Sequence, residues 1–321
     1  MSYGQMKIHR KVALSLVELM ISIVILLIIS TPLLSTLRVS TNRMLSYTEF
    51  IKAYTRTSRV EALLKAPLFY CGLGMPVSAI KYKQSFGNQK YAPFQWEGPI
   101  SICRGPSGFD NSELRVSYAR PGSIRLTEMT QSDTSEGEVK LHRSPDLNEI
   151  GDTFSDNSSD TRNWVFFPTS IPPSAPYCVM GLSEKVMTVK NGMGRPFSIS
   201  KGDMVHNLRA MTVYANNDVL YTKDFHTAGD QPRISGILDI RFDTDIKHKI
   251  VSVYILARGD RIYDSPQEIK GKEEWPEEYI RQWIEKDSKY KLYASKIVWP
   301  LPNLIGSDLI CEEFANTKEQ F

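Results

Sequence analysis

Residues 14–34 read LSLVELMISIVILLIISTPLL, and this run decides how the rest of the chain is organised. About 20 consecutive apolar residues are enough to cross a bilayer as a helix. The run contains a single ionisable residue, Glu18. A carboxylate within such a helix costs about 2.5–3.5 kcal/mol on membrane-insertion scales, so it is expected to have a partner. The run therefore predicts a transmembrane helix with Glu18 as a candidate functional group.

A short basic leader precedes the apolar run. Its basic residues are Lys7, His9, Arg10 and Lys11. Cleavage between Ala13 and Leu14 would create a free α-amino group at Leu14 and make Glu18 the fifth residue of the mature chain. This amine and this carboxylate would lie at the same end of one apolar helix. We therefore hypothesise that they neutralise each other between neighbouring subunits.

The leader and the apolar run together resemble the N-terminal motif of type IV pilins and type II secretion pseudopilins. The residues that carry the resemblance are Ala13, Leu14, Ser15, Leu16, Val17, Glu18 and Leu19. The sequence departs from the family pattern in two places, because Ala13 stands where Gly is usual and Leu14 where Phe is usual. The resemblance implies cleavage after Ala13 and N-methylation of Leu14 by a prepilin peptidase. It also implies that Glu18 sets the register of assembly.

The apolar run has two other interpretations, a secretory signal peptide and an ordinary signal anchor. A secretory signal peptide has a shorter apolar core followed by a small-residue cleavage site, and Ser30-Thr31-Pro32 is a poor one. An ordinary signal anchor accounts for the length of the run but leaves Glu18 without a role. The second interpretation gives the alternative function, a single-pass anchored extracytoplasmic binding domain that is neither cleaved nor polymerised.

Composition and charge narrow the remaining classes. The chain has 321 residues, 41% hydrophobic and 23% charged, and a second apolar run of membrane-spanning length does not occur in it. A net charge of +3 is too small to indicate nucleic acid or an anionic surface as a partner. The apolar run makes membrane lipid an expected partner. Basic residues in the leader favour a cytoplasmic N-terminus and an extracytoplasmic body. The predicted location is the inner membrane, with display on a pilus or cell surface after assembly.

The helix is predicted to continue beyond the membrane. Apolar residues recur at helical spacing in residues 35–66, at Leu37, Met44, Tyr47, Ile51, Tyr54, Val60, Leu63 and Leu64. This pattern indicates an amphipathic half that packs under a globular head, and Pro67 is expected to end it. From Leu14 to Ala66 the helix would be about 80 Å long. Pro32 is expected to kink or locally unwind it near Ile28.

Residues 67–321 are predicted to form a β-rich antiparallel head, which gives an α+β fold. Residues 75–112 contain several prolines and are expected to be a long loop with short strands. Three hairpins are predicted: residues 114–118 with 124–129 around Pro121-Gly122, 211–214 with 219–221, and 238–242 with 251–257. A solvated loop insertion is expected at residues 130–163. A helix after Pro276 and a strand over residues 291–299 complete the head.

The second half also resembles PilW-type minor pilins in the order of its predicted strands. The segments that carry this looser resemblance are Val213-Tyr214, Leu220-Tyr221, Leu238 to Phe242, and Val251 to Arg258. It implies a minor pilin or pseudopilin that is incorporated into, or primes, a filament. The implied partners are prepilin peptidase, other pilins and the inner-membrane assembly platform.

Four cysteines lie in the head. They are Cys71, Cys103, Cys178 and Cys311. Disulfides are permitted in an extracytoplasmic domain, and four cysteines allow three full pairings. Cys71 with Cys103 is the pairing we favour because these residues bracket one loop-rich segment, and free buried thiols are the alternative.

Sequence motifs for catalysis or metal binding are absent. The histidines are scattered, at His9, His142, His206, His226 and His248. Asp152, Asp156 and Asp160 do not match the ligand spacing of a calcium loop. We therefore expect no enzyme activity, no metal and no cofactor. The possibility of a Ser/His/Asp site remains, because the three residues of such a site are brought together by the fold and need not be close in the sequence.

Overall fold

The computed structural model describes residues 16–76, 78–87, 92–145, 164–172, 175–224, 229–284 and 289–304. The chain divides into two compact units, Met1–Glu49 and Phe50–Phe321. Helix α1, Leu16–Phe69, is helical throughout. The described residues also contain two shorter helices, α2, Ala79–Ser85, and α3, Glu277–Ile284, and 3-10 turns at Ala92–Gln95 and Lys272–Glu274.

Helix α1 differs from its prediction at both prolines. It ends at Phe69 rather than before Pro67, so Pro67 lies in its last turn. Leu64 and Leu68 are fully buried in the core, which offsets the hydrogen bond that Pro67 cannot donate. Three residues after the helix ends, the chain turns at Gly72, whose φ of +74° favours glycine. The helix also continues across Pro32, so the predicted local unwinding there is not observed.

Fifteen strands lie in the described residues. They are β1 Ile100–Cys103, β2 Glu113–Arg125, β3 Thr130–Ser132, β4 Glu136–Lys140, β5 Trp164–Phe166, β6 Tyr177–Ser183, β7 Val186–Asn191, β8 Phe197–Ile199, β9 Met204–Asn216, β10 Val219–Asp224, β11 Gln231–Ser235, β12 Ile237–Asp245, β13 Ile250–Ile262, β14 Ile269–Lys270 and β15 Tyr290–Pro300. They form three sheets of nine, four and two strands.

The nine-stranded sheet is antiparallel and has the order β1-β2-β9-β5-β6-β7-β4. Strand β9 pairs with β5 near its start and with β10 nearer its end, and β10 pairs with β11. The four-stranded sheet has the order β12-β13-β15-β14, in which β14 and β15 are parallel. Strands β3 and β8 form the two-stranded sheet. The predicted α+β class and the β-rich antiparallel head are therefore confirmed.

The four-stranded sheet is covered on both faces. Val253 and Ile255 of β13 join the hydrophobic cluster that includes Val60 and Leu64 of α1. Tyr254 and Leu256 of the same strand, on its other face, join a cluster that includes Trp275, Ile280 and Leu292. This alternation is what a strand buried on both faces requires. Val60 and Leu64 thereby lie in the same core as the centre of the nine-stranded sheet.

Two of the three predicted hairpins are confirmed. Strands β9 and β10 are joined by Asn217 and Asp218, both at positive φ, as a two-residue hairpin turn requires. Strands β12 and β13 form the other hairpin. The hairpin around Pro121-Gly122 is wrong, because β2 runs through both residues and stays paired with β9. The pairing register shifts there, and a Cβ on Gly122 would lie 2.4 Å from the carbonyl oxygen of Val205, so this dipeptide makes a bulge.

The other predictions for the head are mostly confirmed. The loop at residues 75–112 is largely irregular but contains α2. The predicted insertion is wrong at its start, since β3 and β4 occupy it and Val139 is fully buried, and residues 146–163 lie outside the described residues. Helix α3 and strand β15 match their predictions. Within the predicted α1 stripe, Val60 and Leu64 are buried in the second unit, whereas Met44 and Tyr47 of the first unit are exposed.

Arg56 fixes α1 to the β12–β13 hairpin. Its Nη2 donates to Asp260 Oδ1 at 2.6 Å, and its Nη1 donates to the carbonyl oxygen of Arg258. Gly236, at φ +79°, lies directly against the guanidinium, and a Cβ there would be 2.7 Å from Arg56 Cζ. Lys52 adds a second ion pair to Asp260 at 3.2 Å.

Candidate membrane-anchoring segment

The first part of α1 is an apolar surface that nothing in the described chain covers. No residue from Leu16 to Thr48 is buried, and Leu26 and Ile28 are 67% and 66% exposed. Within the described residues, α1 is the one helix long and apolar enough to cross a membrane. Contiguous apolar surface of this extent is unusual on a soluble domain and marks a contact with lipid or protein.

The hydroxyl groups between Leu16 and Thr36 are satisfied within the helix. Ser22 Oγ donates to the carbonyl oxygen of Glu18 at 2.7 Å, and Thr31 Oγ1 donates to that of Leu27 at 2.9 Å. Ser30, Ser35 and Thr36 make equivalent bonds. Hydroxyls bonded to their own helix do not need water, so these residues are compatible with hydrocarbon around them.

Glu18 lies in the first turn of α1. It is exposed and is the single charged residue between Leu16 and Leu37. The negative charge lies near the helix N-terminus, where the helix dipole stabilises it. Ala13 and Leu14 lie outside the described residues, so cleavage and N-methylation there stay predictions.

The favoured disulfide between Cys71 and Cys103 does not form. Cys103 is opposite Glu113 on β2, whereas Cys71 is opposite Tyr118. The strand steps from 113 to 118 separate these positions by about 16 Å, and disulfide-bonded cysteines need Cα atoms within about 7 Å. Within the described residues, Cys71, Cys103 and Cys178 form no disulfide with one another. Cys311 lies outside the described residues, so its pairing stays a prediction.

The described part of the head contains open cavities, and two of them have volumes of about 250–260 Å³. One, of about 260 Å³, is lined in part by Phe86, Trp164, Cys178 and Lys190. Burial raises the pKa of Cys178 to about 11, so this thiol is protonated at neutral pH and is a poor nucleophile. The other cavity, of about 250 Å³, lies between the last turns of α1 and the end of β15. Sequence reasoning missed both because each is lined by residues from separate elements.

A buried ion pair joins β12 to its neighbours. Arg241 Nε donates to both oxygens of Asp239 at 2.9 and 3.0 Å, and Arg241 Nη1 donates to the carbonyl oxygen of Asp110 at 2.7 Å. Trp283 Nε1 of α3 donates to Asp239 Oδ2 at 2.9 Å. Burial raises the pKa of Asp239, and Arg241 opposes that rise. The partners come from distant segments, so the pair connects layers of the head, and the alternating D-x-R in the sequence gives no specific signal for it.

No cluster of three His, Cys, Asp or Glu side chains that could hold a metal ion occurs among the described residues.

Comparison with known proteins adds no assignment, since no family model, no curated protein and no solved structure matches the chain.

Proposed function

We propose that this chain is a minor pilin or pseudopilin, stored in the membrane through α1 and assembled with similar subunits through the same helix. The observation that carries the proposal is the exposed apolar first part of α1, residues 16–37, in which Glu18 is the one carboxylate and stands at the fifth position after the expected cleavage site. A β-rich head follows that helix. Apolar packing of α1 against other helices supplies most of the association energy in this mechanism.

Glu18 serves as the register device. After removal of residues 1–13, its carboxylate pairs with the α-amino group of Leu14 on an adjacent subunit. A carboxylate left without that partner in an apolar environment costs about 2.5–3.5 kcal/mol. The pair itself adds little net stability because both charges are desolvated, but a misaligned subunit leaves both groups without partners. The pair therefore selects the axial position of a subunit more than it strengthens assembly.

The proposed location is the inner membrane, with the N-terminus in the cytoplasm and the head outside it. The partners are prepilin peptidase, the other subunits of the filament and the inner-membrane assembly platform. The filament is that of a type IV pilus or of a type II secretion-like system. No catalytic step, metal or cofactor is part of this function.

Mass spectrometry of the intact chain from its native membrane tests the proposal. A chain that begins at N-methylated Leu14 is the expected result. A chain that begins at Met1 or Ser2 would favour an uncleaved anchor, and one that begins beyond Leu34 would mean a removed signal peptide. Either of these two results would refute the proposal.

The alternative, an anchored extracytoplasmic binding domain, is favoured by one observation. The cavity beside Trp164 and Phe86 has aromatic walls and a lysine at Lys190, which is a composition found in ligand sites. Glu18 separates the two functions. Glu18→Ala is expected to disturb the register of assembly and leave membrane insertion intact if the chain is a pilin-like subunit. Under the alternative the same substitution leaves location and activity unchanged.

A further inference from the structure

Strand β15 is covered by another strand along only one of its two edges. On that edge it pairs with β13 from Leu292 to Pro300. On its other edge it pairs with β14 at Leu292 and Tyr293 alone. No other strand of the described residues pairs with this second edge. Unpaired backbone groups at a sheet edge are a template for a further strand, and natural proteins usually cover them.

The backbone groups of Val298 point to the open edge. The carbonyl oxygen of Ala294 lies on that side, because a Cβ on Gly271, the residue after β14, would collide with it. The Lys296 N–H donates to Glu274 Oε2 at 3.3 Å on the same side. Backbone groups of alternate residues in a strand point to the same edge. The N–H and C=O of Val298 therefore face away from β13, on the side where β14 has already ended.

A groove of about 250 Å³ lies beside this edge. It is formed by the last turns of α1 and the end of β15, and its walls are Glu61, Lys65, Phe69, Val298, Trp299 and Pro300. Phe69 and Val298 are 52% and 50% exposed, so apolar surface is open next to the unpaired backbone groups. This combination fits an extended segment, whose backbone would pair with β15 while its apolar side chains fill the groove.

The chain returns to this groove after β15. Asn303 Nδ2 donates to the carbonyl oxygen of Phe69 at 2.6 Å, and Leu304 is fully buried in the core that α1 shares with β13. Phe69 is also a wall of the groove. Because residue 305 is bonded to Leu304, it starts near the Phe69 end of the groove, from where an extended segment can run back beside β15.

The sequence after Leu304 has the composition of a turn followed by a short strand. Residues 305–314 read IGSDLICEEF, and they lie outside the described residues. Residues 306–308 are Gly, Ser and Asp, which are types that favour turns. Residues 309–311 are Leu, Ile and Cys, and they match in number the three residues that β15 contributes to the groove.

We propose that residues 305–314 bind as an added strand at the open edge of β15, with residues 309–311 in the groove. This segment is a better occupant than a strand of another chain, because its covalent link to Leu304 holds it near the edge at an effective concentration on the order of 1 mM. A strand of another chain would also lose its translational and rotational freedom on binding. The added strand covers an edge that could otherwise recruit a second copy of the protein. This binding involves the second unit alone and is independent of the proposed function.

Crosslinking in the full chain, purified in detergent, tests where the segment binds. A benzophenone amino acid is introduced at Val298, and the crosslinked peptides are identified by mass spectrometry after proteolysis. Ile262, 62% exposed on β13 at the opposite end of the same sheet, is the matched control site. The expected result is a crosslink within one chain from Val298 to residues 305–314, and none to them from Ile262. A crosslink from Val298 to a second chain, or none to residues 305–314, would overturn the proposal.

Hydrogen exchange at the Val298 amide tests the backbone pairing. Leu309→Pro combined with Ile310→Pro removes the N–H donors of both residues, so pairing with β15 is lost whichever of the two faces that strand. Asn316→Pro combined with Thr317→Pro, beyond the proposed strand, is the matched control. The Val298 amide is expected to exchange roughly tenfold faster in the first variant, which loses an edge hydrogen bond, and at the wild-type rate in the second. Exchange at Val298 that is equally fast in the two variants would also overturn the proposal.

Discussion

The substitution Gly236→Ala tests whether the contacts of Arg56 hold α1 on the head. Its φ is +79°, and an added Cβ would lie 2.7 Å from both Cζ and Nη1 of Arg56. That guanidinium donates to the carbonyl oxygen of Arg258 and to Asp260. Gly236→Ala is therefore expected to displace Arg56 and break both bonds.

The chain offers a matched control in Gly202. It has nearly the same backbone conformation, with φ +82°, but nothing lies within 4 Å of its added Cβ. An alanine in this left-handed region costs about 1–2 kcal/mol, and the gain from a less flexible unfolded chain offsets part of that cost at both sites. Gly202→Ala is therefore expected to lower the free energy of unfolding by about 1 kcal/mol.

Gly236→Ala carries this cost and the loss of the Arg56 contacts. A hydrogen bond from a charged donor contributes about 1.5–3 kcal/mol, and the Arg56 side chain is 16% exposed, so the bond to the carbonyl oxygen of Arg258 is largely shielded. The pair with Asp260 adds less because that carboxylate is 52% exposed. The expected total loss is about 3 kcal/mol, roughly 2 kcal/mol beyond the control.

Urea unfolding of the full chain in detergent, followed by tryptophan fluorescence, measures both variants. Arg56→Ala completes a double-mutant cycle, because without the guanidinium the added methyl group has nothing to displace. In that background Gly236→Ala should cost no more than Gly202→Ala does. Equal losses for the two glycine variants in the wild-type background would refute the argument that Arg56 is packed against Gly236.

Two further predictions follow from the burial of titratable groups. Cys103 is half-buried, whereas Cys71 and Cys178 are buried. A maleimide should therefore label Cys103 in the folded protein and reach the other two cysteines only after unfolding. Peptide mapping that finds Cys71 labelled in the folded state would contradict this prediction. Burial lowers the pKa of His206 below its ordinary 6.5, with Asp203 opposing, so the fold favours the neutral ring. Its contribution to stability is complete above about pH 6.5 and declines as the pH falls through the folded pKa, because unfolding then takes up a proton. Urea unfolding between pH 8 and 5 should show this decline, and His206→Phe should reduce it.

Local signals made much of the fold predictable. The β9–β10 hairpin follows from Asn217 and Asp218, which tolerate the positive φ of a two-residue turn. The turn predicted at Pro121-Gly122 was wrong, because a proline and a glycine are also compatible with a bulge inside a long strand. The sequence cannot separate the two cases, since the choice depends on whether β9 is long enough to pair with both halves of β2.

Contacts between residues that are far apart in the chain could not be predicted from the sequence. Arg56 meets Asp260 across 204 positions, and Arg241 meets Asp110 across 131. Neither pair has a local pattern, because each charge pairs with a residue that only the completed fold brings near. The Cys71–Cys103 pairing failed for the same reason, since their separation depends on their register along β2.

Helix α1 shows why periodicity alone could not identify its buried face. Val60 and Leu64 are buried in the head, whereas Met44 and Tyr47, although apolar and at similar helical spacing, are exposed. One part of a continuous apolar stripe can thus be buried while another part is exposed, and the apolar residues alone do not show where the change occurs. The charges carry the information instead: Lys52 and Arg56 have Asp260 as a partner in the head, while Arg43 has no carboxylate partner among the described residues.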